Sequence, residues 1–189
     1  GVGEPLHNHT NARALLDWCR ARRIGLSLTT SGGPLGRLSE WLHAPHNGVT
    51  VSVHAGTEPM RRRMVPKGPA LADLFGLLRD ELPRLSGRRK RKLALAYLML
   101  AGRTDGDDEI AAFTERVRDL GIDVHLYAYN PVSSSDARPV TRERYEAAYT
   151  YMTDAGLRVR MSSQARVEAN GGCGTLVALR PSRDGTLRP

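Results

Sequence analysis

The feature that most constrains this chain is a strict alternation. Short strand-like apolar runs and helix-period segments follow one another with few residues between them. Residues 24–29, 49–53, 92–100, 122–127 and 157–161 read as strands, and residues 8–23, 35–43, 70–82, 109–120 and 142–155 as helices. Asn8 or Thr10 can cap the first helix, with Ala14, Leu15, Trp18 and Cys19 on one face, while Gly121 and Gly156 close the last two helices. The apolar run after Lys92 suits a strand buried on both faces. Repeated βα units force parallel strands with right-handed crossovers, so the fold class is α/β, the sheet either doubly wound or curled into a barrel. The chain opens on a Gly-rich turn that feeds a helix, as though a strand had just ended. That predicts N-terminal strands missing from this chain and a longer parent protein. Residues 1–179 are expected to form the core, and 180–189 a disordered tail.

Composition removes several classes. With 40% apolar and 25% charged residues, the chain can bury a core and is not a disordered polyampholyte. No apolar run approaches the roughly 18 residues needed to cross a bilayer, and the first residues lack the basic start and apolar stretch of a signal peptide. Cys19 and Cys173 are too few for a disulfide framework or a zinc ribbon and fit a reducing cytoplasm. A cytoplasmic monomer without a membrane partner is expected. The formal charge is +8, and Lys67, Lys90 and Lys92 are the only lysines, so arginine supplies nearly all of the 28 basic residues. Guanidinium pairs bidentately with phosphate and stacks on bases, which is compatible with nucleic acid, although an arginine-rich genome gives the same count. Two clusters, Arg61-Arg62-Arg63 and Arg88-Arg89-Lys90-Arg91-Lys92, are candidate RNA-facing patches; a solvated helix end is the plainer alternative.

On parallel βα folds, function gathers at the C-terminal ends of the strands. That rule collects Gly3 and Glu4 in the opening turn, Thr29-Thr30-Ser31-Gly32, then Ser52-Val53-His54, Asn130-Pro131, and Ser162-Ser163 with the loop onward to Gly171-Gly172-Cys173-Gly174. Hydroxyls, an amide, a carboxylate, an imidazole and a thiol suit a ligand bearing amine, carboxylate and ribose groups better than a bare metal. Cys173 is framed by glycines, which strips side-chain cover from the thiol and favours a reactive role. Cys19, beside Trp18 on a helix face, reads as core.

These segments resemble, in order, a known family. Gly1-Val2-Gly3-Glu4-Pro5-Leu6 with Asn8 is similar to the GMGEPL-x-N segment of the radical S-adenosylmethionine (SAM) adenine methyltransferases of ribosomal RNA, the RlmN/Cfr family. Leu28-Thr29-Thr30-Ser31-Gly32 resembles their LSTSG, and Val51-Ser52-Val53-His54-Ala55 their ISLHA. Arg63-Met64-Val65-Pro66 stands for their R-x-x-x-V/L-P stretch, Tyr97-Leu98-Met99-Leu100 with Asp105-Gly106 for YVML and its sequel, and Asn130-Pro131 for their N-P. Gly172-Cys173-Gly174-x-Leu176 resembles ACGQL. The matches run collinearly over residues 1–176.

The resemblance implies a parallel partial (β/α)6 barrel of radical SAM type, with SAM and a [4Fe–4S] cluster at its open end. It assigns Gly3 and Glu4 to the methionyl amine, Thr29 to a SAM carboxylate or ribose group, and Ser52, Val53, His54 and Asn130 to the rest of the pocket. It makes Cys173 the catalytic methyl carrier for C2 of an adenine in 23S rRNA, with tRNA as a further RNA partner. No metal ligand is assigned within the chain: the family's C-x3-C-x2-C motif lies upstream of its GEP turn and has no counterpart here, so the chain alone is expected to be inactive. Cys19 does not match the second catalytic cysteine of the family, and Thr175 replaces the glutamine of ACGQL. Three alternatives stand beside this reading. They are a radical SAM paralogue methylating a peptide or small molecule, an inactive barrel remnant, and a metal-dependent hydrolase using His7, His9, His54 and His125.

Overall fold

The computed structural model describes residues 3–131 and 135–162. In chain order the elements are α1 (His9–Ala21), β1 (Ser27–Thr30), α2 (Leu35–His43), β2 (Gly48–Ser52), α3 (Glu58–Met64), α4 (Leu71–Glu81), α5 (Gly87–Lys90), β3 (Leu93–Met99), α6 (Asp107–Val117), β4 (Asp123–Ala128), α7 (Arg142–Asp154) and β5 (Arg158–Met161). A short 3-10 turn, Leu82–Arg84, follows α4. The five strands are all parallel, and their order across the sheet is β1-β2-β3-β4-β5. A doubly wound sheet requires a reversal of strand order. The described strands have none, so right-handed crossovers place the helices on one face, as in a barrel.

The pleat sorts the residues accordingly. Leu28, Val49, Val51, Leu95, Tyr97, Val124 and Leu126 face the helices in one core with Trp41, Phe75 and Phe113. The Tyr97 and Phe113 rings lie 4.5 Å apart, and the Tyr97 hydroxyl donates to the Thr104 carbonyl oxygen at 2.7 Å. Each buried side chain of this size contributes about 1.5–3 kcal/mol relative to exposure. The other pleat is different in kind. Thr29, Thr50, Ala94, Asp123 and Arg158 form one row across the sheet, and Ser52, Ala96, His125 and Arg160 the next. Small and polar residues make up this face, and Ala94 and Ala96 of β3 are buried on it. β3 is buried throughout apart from half-buried Leu98, as its unbroken apolar run predicts.

Three local departures have physical causes. The apolar face of α1 is Leu16 and Cys19, whereas Leu15 and Trp18 are 49% and 50% exposed; the Arg22 guanidinium stacks on the Trp18 ring at 4.1 Å. β1 starts later than the apolar run suggests, because Arg23 adopts φ +59° and the Ile24 N–H caps the Cys19 carbonyl at 2.9 Å. The helices α3 and α5 are hidden in the sequence by their own charge runs. Thr57 and Ser86 cap them, accepting from the backbone N–H groups of Met60 and Arg89.

Candidate functional site

The opening turn places Glu4 against the end of β1. Gly3, at φ +112°, supplies a backbone conformation that other residues rarely adopt. The Glu4 carboxylate then receives four hydrogen bonds. Its Oε1 accepts from the Leu6 N–H (3.1 Å) and the Thr30 hydroxyl (2.6 Å), and its Oε2 from the Ser31 N–H (2.7 Å) and the Ser31 hydroxyl (2.6 Å). Partial burial pushes this carboxyl up, but the donors from Ser31, Thr30 and Leu6 outweigh burial and hold it below the usual carboxylate range. It stays ionised at neutral pH. Four donors also occupy the lone-pair sites a carboxylate offers, so an incoming ammonium must displace a hydroxyl or share an oxygen with one.

The end of β2 lies alongside. The Val53 and His54 N–H groups both donate to the Ala96 carbonyl (3.0 and 3.2 Å), and His54 takes φ +55°, so the strand turns sharply there. Val53 is fully buried, and Ser52 sits half-buried on the uncovered pleat. The His54 imidazole is held neutral at ordinary pH: burial, then the charge of Arg61, drop its pKa to about 4. Its buried Nδ1 has no protein hydrogen-bond partner. An orphaned imidazole nitrogen beside a strand end, with an ionised carboxylate on the neighbouring strand end, fits a polar ligand such as SAM.

Arg61 joins the two strand ends. Its side chain is 1% exposed, and the guanidinium donates to the carbonyl oxygens of Ser52 (2.7 Å), Val53 (2.8 Å), Ser31 (2.7 Å) and Pro69 (3.2 Å). Burial lowers its pKa to about 10, so it remains a cation. A Cβ on Gly68 would come within 2.6 Å of that guanidinium, which makes the glycine part of the fit. Glu4, Ser31, Arg61, Ser52 and Val53 therefore form one connected frame. Arg61 is not an RNA-facing residue: the first basic cluster splits, with Arg62 and Arg63 exposed and Arg61 internal. The second cluster precedes β3, at the opposite end of the sheet from Glu4. There Arg89 donates to the carbonyl oxygens of His43 and Ala44, and Lys92 to that of His46.

Two residues of this frame, Thr30 and Arg61, take roles that the sequence reading does not give them. Thr29 lies exposed on the uncovered pleat, and its buried neighbour Thr30 makes the contact to Glu4. Alternation carries the signal: if Leu28 faces the core, so does Thr30. Arg61 is marked by spacing, since an R-x-x-x-V-P stretch counted back from Val65 begins at Arg61 rather than Arg63. Asn130 follows β4, half-buried on that strand's C-terminal side. Cys173, with Ser163 and the Gly171–Gly174 loop, lies outside the described residues. Among the described residues, no group of three or more His, Cys, Asp and Glu side chains could hold a metal ion, so they fit neither a [4Fe–4S] cluster nor the hydrolase alternative. Cys19 is buried in the core, and His9 lies 3.1 Å from Glu40 of α2.

A parallel sheet wound in one direction, with polar residues on its strand ends and on the pleat away from the helices, is a barrel-type α/β fold, and it matches radical SAM barrel structures. The crystal structure of a radical SAM methyltransferase from Sphaerobacter thermophilus superposes with a TM-score of 0.81 at 20% identity, over 93% of this chain and 52% of that one. A domain of pyruvate-formate lyase-activating enzyme from Bacteroides vulgatus matches with a TM-score of 0.67 at 13% identity, over 86% of this chain and 96% of that one. Structures this distant in sequence share the fold alone. No protein-family profile matches the chain. The dual-specificity RNA methyltransferase RlmN of Sorangium cellulosum is 30% identical over 190 residues, covering 95% of this chain and 47% of that protein. The enzyme of the same name from Gluconobacter oxydans is 28% identical over 187 residues, covering 93% and 44%. Over most of its length the chain is a distant homologue of RlmN-like radical SAM RNA methyltransferases, and it spans about half the length of the curated relatives it matches.

Proposed function

We propose that this chain is the SAM-binding part of a radical SAM methyltransferase that modifies C2 of an adenine in 23S rRNA, with tRNA as a second substrate. The observation that carries the reading is the Glu4 carboxylate, ionised and fixed against the end of β1 by Thr30 and Ser31. A fixed anion there suits the methionyl ammonium, which would enter by taking over one of the hydroxyl donors. Gly3 leaves the approach clear, and Ser52 and His54 offer a hydroxyl and an unpartnered imidazole nitrogen to the rest of the molecule. Thr29 and Asn130 are assigned to the same pocket by the family pattern. The neutral state of His54 matters, because a second cation beside Arg61 would repel the sulfonium.

Bound SAM supplies a methyl group on a positively charged sulfur. Cys173 is assigned to receive it: as a thiolate it would form a sulfur–methyl bond as the sulfonium–methyl bond broke, and the donor would leave as its neutral thioether. Adenine C2 is electron-poor and does not itself attack a sulfonium methyl, so a carrier thiol suits this substrate. One observation favours an alternative reading. In the first basic cluster, which follows β2, Arg61 is internal and only Arg62 and Arg63 are exposed, which leaves room for a paralogue whose substrate is a peptide or small molecule rather than RNA.

The deciding experiment uses the full-length protein with its cluster reconstituted. It is supplied with methyl-labelled SAM and a 23S rRNA transcript, and the RNA is digested to nucleosides. Label in 2-methyladenosine supports the proposal. Label that stays out of RNA, while SAM is consumed in the presence of peptide or metabolite extracts, overturns it in favour of the paralogue.

A further inference from the structure

A cavity of about 620 Å³ opens at the N-terminal ends of β3, β4 and β5, at the opposite end of the sheet from Glu4. Lys90, Arg91, Arg158 and Arg160 line it, with Asp123 as its one carboxylate. The strands put about 17 Å between this end and the other, at roughly 3.3 Å per residue along β4. It is thus separate from the frame of Glu4, Arg61 and His54.

The cations are arranged rather than merely collected. Arg158 and Arg160 stand two positions apart on one pleat of β5, and both lean on Asp123, opposite Arg158 in the neighbouring strand. The Arg158 Nε donates to Asp123 Oδ1 at 2.9 Å, and the Arg160 Nε to Asp123 Oδ2 at 2.9 Å. A further Arg158 nitrogen donates to the Gly121 carbonyl at 2.7 Å. One carboxylate therefore holds two guanidinium groups, with an Arg160 Nη also 2.8 Å from Asp123 Oδ2, while both arginine side chains stay more than half exposed. Holding both side chains in place reduces the rotamer entropy lost when an anion arrives. Across the cavity, Lys90 and Arg91 have no carboxylate partner among the described residues. Four cations against one carboxylate leave a strongly positive hollow.

What lines the cavity also says what it does not read. The remaining lining residues are Gly87, Gly121 and Val159, so no aromatic ring is available to stack on a base and no amide to read a base edge. The two glycines present bare backbone, which lets a bulky anion approach closely. Such a wall recognises charge without sequence. We propose that this cavity binds the phosphodiester backbone of the RNA substrate as a second contact, positioning the RNA while the strand ends near Glu4 handle the base. The inference rests on the RNA reading given above and adds to it a site remote from the SAM pocket.

The test measures binding of a short RNA hairpin by filter retention across a salt series, with sodium tripolyphosphate as competitor. It compares wild-type protein with Lys90→Glu/Arg91→Glu, the milder Lys90→Gln/Arg91→Gln, and Arg20→Glu/Arg37→Glu. The last pair changes the same charge at exposed positions on α1 and α2. The expected result is about tenfold weaker binding for the Lys90/Arg91 glutamate variant, a smaller loss for the glutamine variant, and none for the control. The slope of log affinity against log salt should also fall by about 1.4–1.8 for two lost phosphate contacts, the lower figure for the single-stranded loop and the higher for the stem. Normal hairpin binding by both Lys90/Arg91 variants overturns the inference and leaves the RNA reading standing. Tripolyphosphate binding that depends on Lys90 and Arg91, without a matching effect on the hairpin, assigns the cavity to a small anion and also overturns it. Failure of the wild-type protein to bind RNA at all removes both.

Discussion

The Thr30 hydroxyl lies 2.6 Å from Glu4 Oε1, although 26 residues separate the two in the chain. Thr30 is 2% exposed, and its oxygen also accepts the Gly32 N–H at 3.0 Å, so one hydroxyl both donates to the carboxylate and shapes the turn after β1. Thr30→Val keeps the shape and removes both bonds. Leaving a buried acceptor and a backbone N–H short of a partner costs about 1–3 kcal/mol. The variant should lose stability of that order in urea melts and bind SAM about tenfold more weakly by equilibrium dialysis. Thr29→Val, on the other pleat, should leave stability within about 0.5 kcal/mol of wild type.

Glu4 and His54 both make the fold less stable on acidification, in separate pH windows. The folded-state pKa of Glu4 is depressed, so its stabilising contribution is complete above the ordinary carboxylate value of 4.5 and fades as pH falls below it. His54 drops from 6.5 to about 4, so the unfolded chain binds its proton first, and stability declines as pH falls from about 6.5 toward 4. His54→Asn removes that titration while suiting the left-handed backbone at φ +55°. The melting temperature of this variant should fall less than that of wild type between pH 6.5 and 4.5. Equal slopes would show that the imidazole is not held neutral by the fold.

Arg61 differs from the two arginines that follow it. Its guanidinium satisfies four carbonyl oxygens drawn from both strand ends and the loop before α4, whereas Arg62 and Arg63 are exposed. Lysine carries the charge but cannot span that fork. Arg61→Lys should cost about 3–5 kcal/mol, in the range of broken buried charge networks, and should weaken SAM binding with it. Arg62→Lys and Arg63→Lys should change stability by less than about 0.5 kcal/mol. Urea denaturation of the three variants separates the roles.

These residues also mark how far the sequence could be read. Periodicity recovers the parallel βα order, because alternation and helix spacing are local signals that burial simply ratifies. Strand-end chemistry is legible as a region. Which hydroxyl meets Glu4 is decided by the pleat: Thr30 does so while Thr29 stands on the other face, because a shift of one position exchanges the faces of the sheet. Arg61 is invisible to charge counting because a basic triplet reads as solvated surface. What buries it is the meeting of Ser31, Ser52, Val53 and Pro69, a convergence of carbonyls that only the folded chain creates. The exposed Trp18 fails for the converse reason: large apolar side chains are assigned to the core by default, and a stacked arginine makes surface placement acceptable.

Gly56 has no role in the sequence motifs, yet it is tightly constrained. A Cβ there would stand 2.0 Å from the Glu109 carbonyl oxygen and 2.7 Å from the Phe113 nitrogen, both backbone atoms of α6. The same close approach lets Glu109 accept from the Gly56 and Thr57 N–H groups, at 2.7 and 3.1 Å, which ties the turn after His54 to α6. Gly56→Ala must push the helix away and should cost more than about 3 kcal/mol, beyond ordinary overpacking. Glu109→Gln, which keeps the size but weakens the acceptor, should cost about 1–2 kcal/mol. A Gly56→Ala protein that melts like wild type would mean that α6 does not lie where the packing puts it.

Cys173 and Glu4 are assigned to different stages of methyl transfer, and that division can be measured in the full-length protein. Cys173→Ala removes the thiolate proposed as methyl carrier and leaves the frame of Glu4, Thr30 and Arg61 untouched. SAM binding by equilibrium dialysis should stay within about twofold of wild type, while labelled methyl in RNA falls below detection. Glu4→Gln should do the reverse at the first stage. It places an amide N–H₂ against the Ser31 or Thr30 donors, replaces the anion proposed to meet the ammonium, and should weaken SAM binding about tenfold or more. Methyl transfer at wild-type rate by Cys173→Ala would eliminate the carrier role and leave the SAM assignment to be judged by Glu4 alone.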